Sequence, residues 1–352
     1  MNYFPIYLDA AAMHPILPRS REAFLNAPFG NPSSEHQTGR EARNALEFAR
    51  EKIAKLIGCD SQEIYFTSTA TEAAALVSYS LAQFGCGLVA GVTEHHAVTE
   101  NEDAFPCEPL DCWPSLCAAQ MLANNETGEI YTERPDISDY QSGWLCDATA
   151  AVGHIPVSFR DIGCDYLIFD GIKFGGVPGA AALIAEKNAP LSPLIRGGGQ
   201  ERGMRSGTEN VPAICAMSAA LEWQAEHMEQ NTAKLSNLIE ILRTELSEIP
   251  GVLWNTPLDR PHLPHILNIS FDGVDAHALA LILSKDGVMV SPGAACSNGK
   301  NEPSHVIMAM FHDEARARSA IRISLSHMNT PDECVEAANK ISSAVAHLRS
   351  IA

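Results

Sequence analysis

Five short apolar runs punctuate the first half of this chain: EIYFTST (63–69), LVAGV (88–92), MLANN (121–125), GWLCDA (143–148) and DYLIFD (165–170). Helical or irregular stretches separate them. Runs this short and apolar read as buried strands, and strands alternating with helices build a mostly parallel sheet covered on both faces. GREARNALEFAREKIAKLIG (39–58) has apolar residues at helical spacing and stops at Gly58. A long helical stretch covers 211–248, with Leu221, Leu235, Leu238, Leu242 and Leu246 on its apolar side, and Ile249-Pro250-Gly251 ends it. HILNISF (265–271), GVMVS (287–291) and AIRISLS (320–326) come next, with helices between them. The expectation is an α/β fold with a large domain over 13–250 and a smaller α+β domain from 1–12 and 251–352.

The chain's 352 residues suffice for that pair of domains. A formal net charge of -19 argues against binding nucleic acid or an anionic membrane. No residue from Ala73 to Thr93 is charged, but Gly85-Cys86-Gly87 breaks the stretch, and a buried helix followed by a core strand explains it better than a membrane span. Ten cysteines without CxxC spacing or Cys/His clusters imply reduced thiols and no metal site. MNYFPIYLDAAA lacks the basic and apolar regions of a secretory leader, which points to the cytoplasm.

Lys173 stands in DYLIFDGIKFGGVPGAAALIA (165–185), between two apolar runs. Burial disfavours an ammonium and lowers its pKa, and a neutral amine can attack a carbonyl to form a Schiff base. Gly171, Gly175 and Gly176 would let a flat cofactor approach the backbone. The plainer reading is a lysine at a strand end with its head in solvent.

Other residues stand where strands end, which is where open α/β sheets bind ligands. TSTATEAAA (67–75) is a strand-to-helix turn whose N–H groups would suit a phosphate, or simply an N-capped helix. Asp147 ends the LCDA run and would pair with a protonated ring nitrogen, or be structural. His95 follows LVAGV, where an imidazole can stack on a flat ring, or sit on the surface. Together they supply the parts that a pyridoxal phosphate site requires. In GGGQERGMRSGT (197–208), three consecutive glycines and two arginines suit backbone bending beside an anion, or a flexible loop. Cys296 sits among small polar residues, a composition that exposes a thiol. Arg322 lies inside an apolar strand, where it needs an anion: a substrate carboxylate or an internal Asp or Glu.

From YLDAAA (7–12) to AIRISLSHMNT (320–330), the chain resembles the cysteine desulfurases, the NifS-like group of fold-type I pyridoxal phosphate enzymes. FGNPSSEHQTGREAR (29–43), TEHHAV (93–98), NNETG (124–128), GGGQERGMRSGTEN (197–210) and AACSNGKNEPSHV (294–306) carry the resemblance. It implies a homodimer that takes L-cysteine and passes its sulfur to a protein acceptor or scaffold. Lys173 would hold the cofactor and move protons, His95 would stack on the ring, and Asp147 would pair with its nitrogen. Asn125 would lie near the ring hydroxyl. Ala70 and Thr71 would bind phosphate, with Thr208 reaching in from the other subunit. Arg322 and Asn31 would bind substrate. Cys296 would take the sulfur.

Four positions depart from the family pattern. Ala150 stands for a usual Gln, Ile172 for His, Asp170 for a Ser that contacts phosphate, and Thr69 for Gly. A carboxylate beside a phosphate dianion is repulsive unless it is protonated or turned away. The departures leave two alternatives to a desulfurase: a related lyase acting on selenocysteine or another β-substituted amino acid, and a silent scaffold.

Overall fold

The computed structural model describes residues 5–102, 104–105, 115–135, 143–293 and 302–351. They form two compact units, one of residues 15–122 and 131–227, the other of 1–14, 123–130 and 228–352.

The first unit is built on six strands: β1 (Ile64–Thr67), β2 (Cys86–Ala90), β3 (Ser115–Met121), β4 (Trp144–Asp147), β5 (Tyr166–Asp170) and β6 (Ala181–Ala185). Their order across the sheet is β1-β6-β5-β4-β3-β2. Strands β2 to β5 run parallel, whereas β6 is antiparallel to both neighbours, β1 and β5. Every residue of β5 and β6 is buried, as their unbroken apolar sequence demands. On one face Leu167 and Phe169 pack with Ile53, Phe66 and Met217. On the other, Tyr166 and Ile168 pack with Leu76, Val77 and Leu183.

Helices α1 (Gln37–Ile57), α2 (Ala70–Gln83), α3 (His96–Glu102) and α4 (Val211–Ser247) accompany the sheet. Their buried residues explain their placement. α1 buries Ala42, Leu46, Ala49, Ile53 and Ile57 at helical spacing, is capped by His36, and ends on Gly58 in the left-handed region at φ 72°. One expected strand is displaced: MLANN is not a strand, because β3 ends at Met121. Just beyond it, the Asn124 side chain accepts the Glu126 and Thr127 amides and turns the chain.

The second unit holds an antiparallel sheet of β7 (Val252–Trp254), β8 (Ile266–Phe271), β9 (Ser291–Pro292) and β10 (Ala320–Ser324), in the order β9-β10-β8-β7. Leu235, Leu238, Leu242 and Leu246 from the later turns of α4 pack with Ile269, Phe271, Ile321 and Ile323 in its core. The uncharged stretch 73–93 divides between α2 and β2, and among the described residues no helix is long and apolar enough to cross a membrane.

Candidate active site

Lys173 closes a single helical turn, Gly171–Lys173, directly after β5. Its side chain is half-buried. His154 Nε2 lies 2.9 Å from the Lys173 carbonyl oxygen. Burial pushes the His154 imidazole down to about pKa 4, so it is neutral and donates this bond. The glycines around Lys173 have a different cause from the one expected. A Cβ on Gly171 would come within 2.9 Å of Met217, and one on Gly176 within 2.8 Å of the Gly171 carbonyl. Gly175 occupies the left-handed region at φ 96°. Close packing of protein on protein therefore selects Gly171 and Gly176, and backbone conformation selects Gly175.

The linkage gives a pH test. The unfolded chain protonates this imidazole near its ordinary value of 6.5, and the folded protein only near 4. The stability it contributes is complete above pH 6.5 and drains away as pH falls from there toward 4. His154→Gln keeps a side-chain donor without the titration. We expect its melting temperature to fall less steeply than the parent's across that window, a difference worth up to about 3 kcal/mol. Parallel curves would remove His154 from the acid limb.

At the end of β4, the Asp147 carboxylate is buried and accepts the Thr149 amide at 2.9 Å. His95 follows β2 and caps α3, its Nδ1 accepting the Ala97 amide at 3.0 Å. That bond leaves the proton on Nε2 in the neutral ring. Glu94, not singled out in the sequence, is buried, and its Oε1 accepts the Met121 amide at 2.8 Å. Burial above all, and then the Asp147 charge, push it up to about pKa 8. It ties the His95 loop to the end of β3, and only this fold-dependent contact distinguishes it.

The turn from β1 into α2 presents its amides largely to the protein itself. Ser68 N–H donates to Glu72 Oε2 at 3.0 Å, Ala70 N–H to Asp170 Oδ2 at 3.1 Å, and Glu72 N–H to the capping Thr69 Oγ1 at 3.1 Å. Thr71 is exposed on the first turn of α2. The turn therefore joins Ala70 to the strand end that carries Lys173.

In the 197–208 loop the expected anion is internal. The Glu201 carboxylate receives two bonds from Arg50, at 2.7 and 2.8 Å, and one from the Phe66 amide at 2.8 Å. Arg205 pairs with Glu72 at 2.7 Å. Arg202 bonds the Ile64 carbonyl and lies over the Tyr65 ring. Thr208 is exposed on this loop, and Asn31 is exposed with its side chain accepting the Ser33 amide at 2.9 Å.

In the second unit, Arg322 on β10 is buried. It donates to the Asn125 carbonyl at 2.8 Å and to Asp9 at 3.0 Å, so an internal carboxylate does stand beside it. Its Nε is buried without a hydrogen-bond partner. Asn125 is half-buried in the turn it shares with Glu126. Ser304 Oγ donates to Glu126 at 2.6 Å, and burial holds that carboxyl up at about pKa 7. Cys296 lies outside the described residues. Burial raises the thiols of Cys59, Cys117, Cys215 and Cys334, and places Cys59 and Cys117 at about pKa 12, far from the thiolate range.

The chain belongs to the aminotransferase class-V family, whose profile matches residues 6–103 and 116–336. A cysteine desulfurase of Dictyoglomus turgidum is 36% identical to it, over 98% of this chain and 96% of that protein. A solved NifS-like protein superposes with a TM-score of 0.87 at 31% identity, covering 97% of this chain and all of the other. A structure of SspA in complex with cysteine gives 0.75 at 26% identity, over 92% and 99%. Within class V, then, the chain is a member of the cysteine desulfurases, enzymes that use pyridoxal phosphate.

The first unit's residues fit that cofactor. Lys173 offers the amine, Asp147 a buried carboxylate for a protonated ring nitrogen, and the N-terminus of α2 a phosphate end. Asp170 is discordant with it, because its carboxylate already occupies the Ala70 amide.

Proposed function

We propose that this chain takes sulfur from L-cysteine, releases alanine, and holds the sulfur as a persulfide on Cys296 for a protein acceptor, working as a cytoplasmic homodimer. The observation that carries the reading is the strand-end set of Lys173, Asp147 and the α2 N-terminus, within a chain matched end to end by desulfurases. When bound, the cofactor supplies an electron sink beside the substrate α-carbon.

The protein's own groups do the rest. Lys173 anchors the cofactor through its amine and moves protons at the substrate α-carbon. His95, held by its Nδ1 bond, presents Nε2 to the ring and to proton transfer. Asp147 stabilises the protonated ring nitrogen. Ala70 and Thr71 bind phosphate, with Thr208 supplied by the other subunit, and Asn125 serves the ring hydroxyl. Arg322 offers its unpartnered Nε to the substrate carboxylate, and Asn31 assists. The Cys296 thiolate attacks the substrate sulfur. The S–S bond forms as the C–S bond breaks, and the carbon keeps that electron pair and takes a proton, giving alanine.

Peptide mapping tests this directly. After borohydride reduction of the cofactor-loaded protein, the adduct should map to Lys173. After incubation with L-cysteine, one added sulfur should map to the Cys296 peptide while alanine accumulates. Sulfide release with no sulfur passing through that peptide would favour the lyase reading instead.

A further inference from the structure

The phosphate end of the site carries its own anion. α2 is a fourteen-residue helix whose first amide, Ala70 N–H, points at Asp170 Oδ2 from 3.1 Å. The other carboxylate oxygen accepts the Ile172 amide at 3.2 Å, which fixes the side chain across the turn that leads to Lys173. Asp170 is only 5% exposed, so water screens little of its charge. The amides of Ser68 and Glu72 are filled by Glu72 and Thr69 as well, so the protein occupies several donors of the region where a phosphate would bind.

With Lys173 read as the cofactor anchor, on which this inference rests, we propose that Asp170 gates the phosphate end of the cofactor. While ionised it competes with the phosphate dianion for the Ala70 N–H, and loading requires it to be protonated or to swing away. The charged groups acting on it are Lys173, which favours its ionisation, and Asp147, which opposes it. Burial is the largest influence and raises its pKa, against the opposing pull of the Ile172 and Ala70 amides. Protonation is thereby brought closer to neutral pH. Asp170 would thus determine how strongly this protein prefers a phosphorylated over an unphosphorylated cofactor, and make that preference pH-dependent.

Equilibrium binding separates this from catalysis. Cofactor-free protein is titrated with pyridoxal phosphate and with pyridoxal, followed by visible absorbance and by calorimetry. Asp170→Ser and Asp170→Asn should each bind pyridoxal phosphate about 10- to 100-fold more tightly at mildly alkaline pH, the scale of removing a like charge beside a dianion, with pyridoxal affinity nearly unchanged. In the parent protein the ratio of the two affinities should favour the phosphate form increasingly as pH falls, and much less so in the variants. That parent series requires no variant to fold, and a flat ratio would overturn the gate. So would variants that bind pyridoxal phosphate no tighter, or that tighten both ligands equally. If the reduced adduct forms on Lys173 while these ratios stay flat, the gate fails and the cofactor reading stands. If neither ligand gives an adduct there, both fall.

Discussion

Lys173→Ala will leave a folded protein that has lost both its covalently held cofactor and its sulfur chemistry. The amine does two jobs in the proposed reaction, anchoring the cofactor and moving the proton at the substrate α-carbon. Loss of the proton-transfer role alone should lower turnover by about 10²- to 10⁴-fold, and loss of the anchor adds to that. Stability should change little. The side chain is half-buried, and the bond from His154 goes to the backbone carbonyl, which the substitution keeps. The measurements are the visible absorbance of protein incubated with pyridoxal phosphate, alanine formed from L-cysteine, and a thermal melt. A variant that keeps an absorbing covalent adduct, or turns over within tenfold of the parent, would remove Lys173 from the chemistry. A collapsed melt would show that its role is structural.

Much of this site was legible because strand ends are legible. Short apolar runs located β1, β4 and β5, and the residues just past them, from Thr69 to Thr71, at Asp147, and at Lys173, are where a parallel sheet offers side chains and helix termini to a ligand. Local sequence carries no such signal for contacts made across the fold. Glu94 reads as one more polar loop residue until the Met121 amide is found on it. Gly171 and Gly176 suggested room for a cofactor, whereas Met217 and the Gly171 carbonyl fill that room. Asp170 stood out only as a carboxylate in an odd place, and its hold on Ala70 spans 100 residues of chain. The antiparallel course of β6 was equally hidden, because apolar runs buried on both faces look alike whichever way they point.

The loop at 197–208 shows the same limit most sharply, and it yields the largest expected loss of stability. Its glycines and arginines suggested an anion without saying which, and the anion is Glu201, gripped by an arginine 151 residues earlier in the chain. Both side chains are almost fully buried, at 2% and 1% exposure for Arg50 and Glu201. The carboxylate also takes the Phe66 amide, and Arg50 takes the Ile64 carbonyl, so a single pair ties α1, β1 and the loop together. The loop backbone is held at positive φ, 48° at Glu201 and 55° at Arg202, a conformation that non-glycine residues adopt only when their surroundings enforce it. Glu201→Ala strands the Phe66 amide and leaves the buried Arg50 guanidinium with the partly exposed Glu47 carboxylate, 3.1 Å away, and the Ile64 carbonyl. We expect it to cost about 3–5 kcal/mol, a drop in melting temperature on the order of 10 °C. Arg50→Ala should be similarly costly, because it leaves the buried Glu201 carboxylate with the Phe66 amide but without its cation. Removing both partners should cost less than the sum of the single losses, since the second substitution deletes the charge that the first one stranded. Denaturant melts of the two single variants and the double variant decide the matter. Additive losses would mean that the loop is held by its glycines and its other contacts and not by this pair.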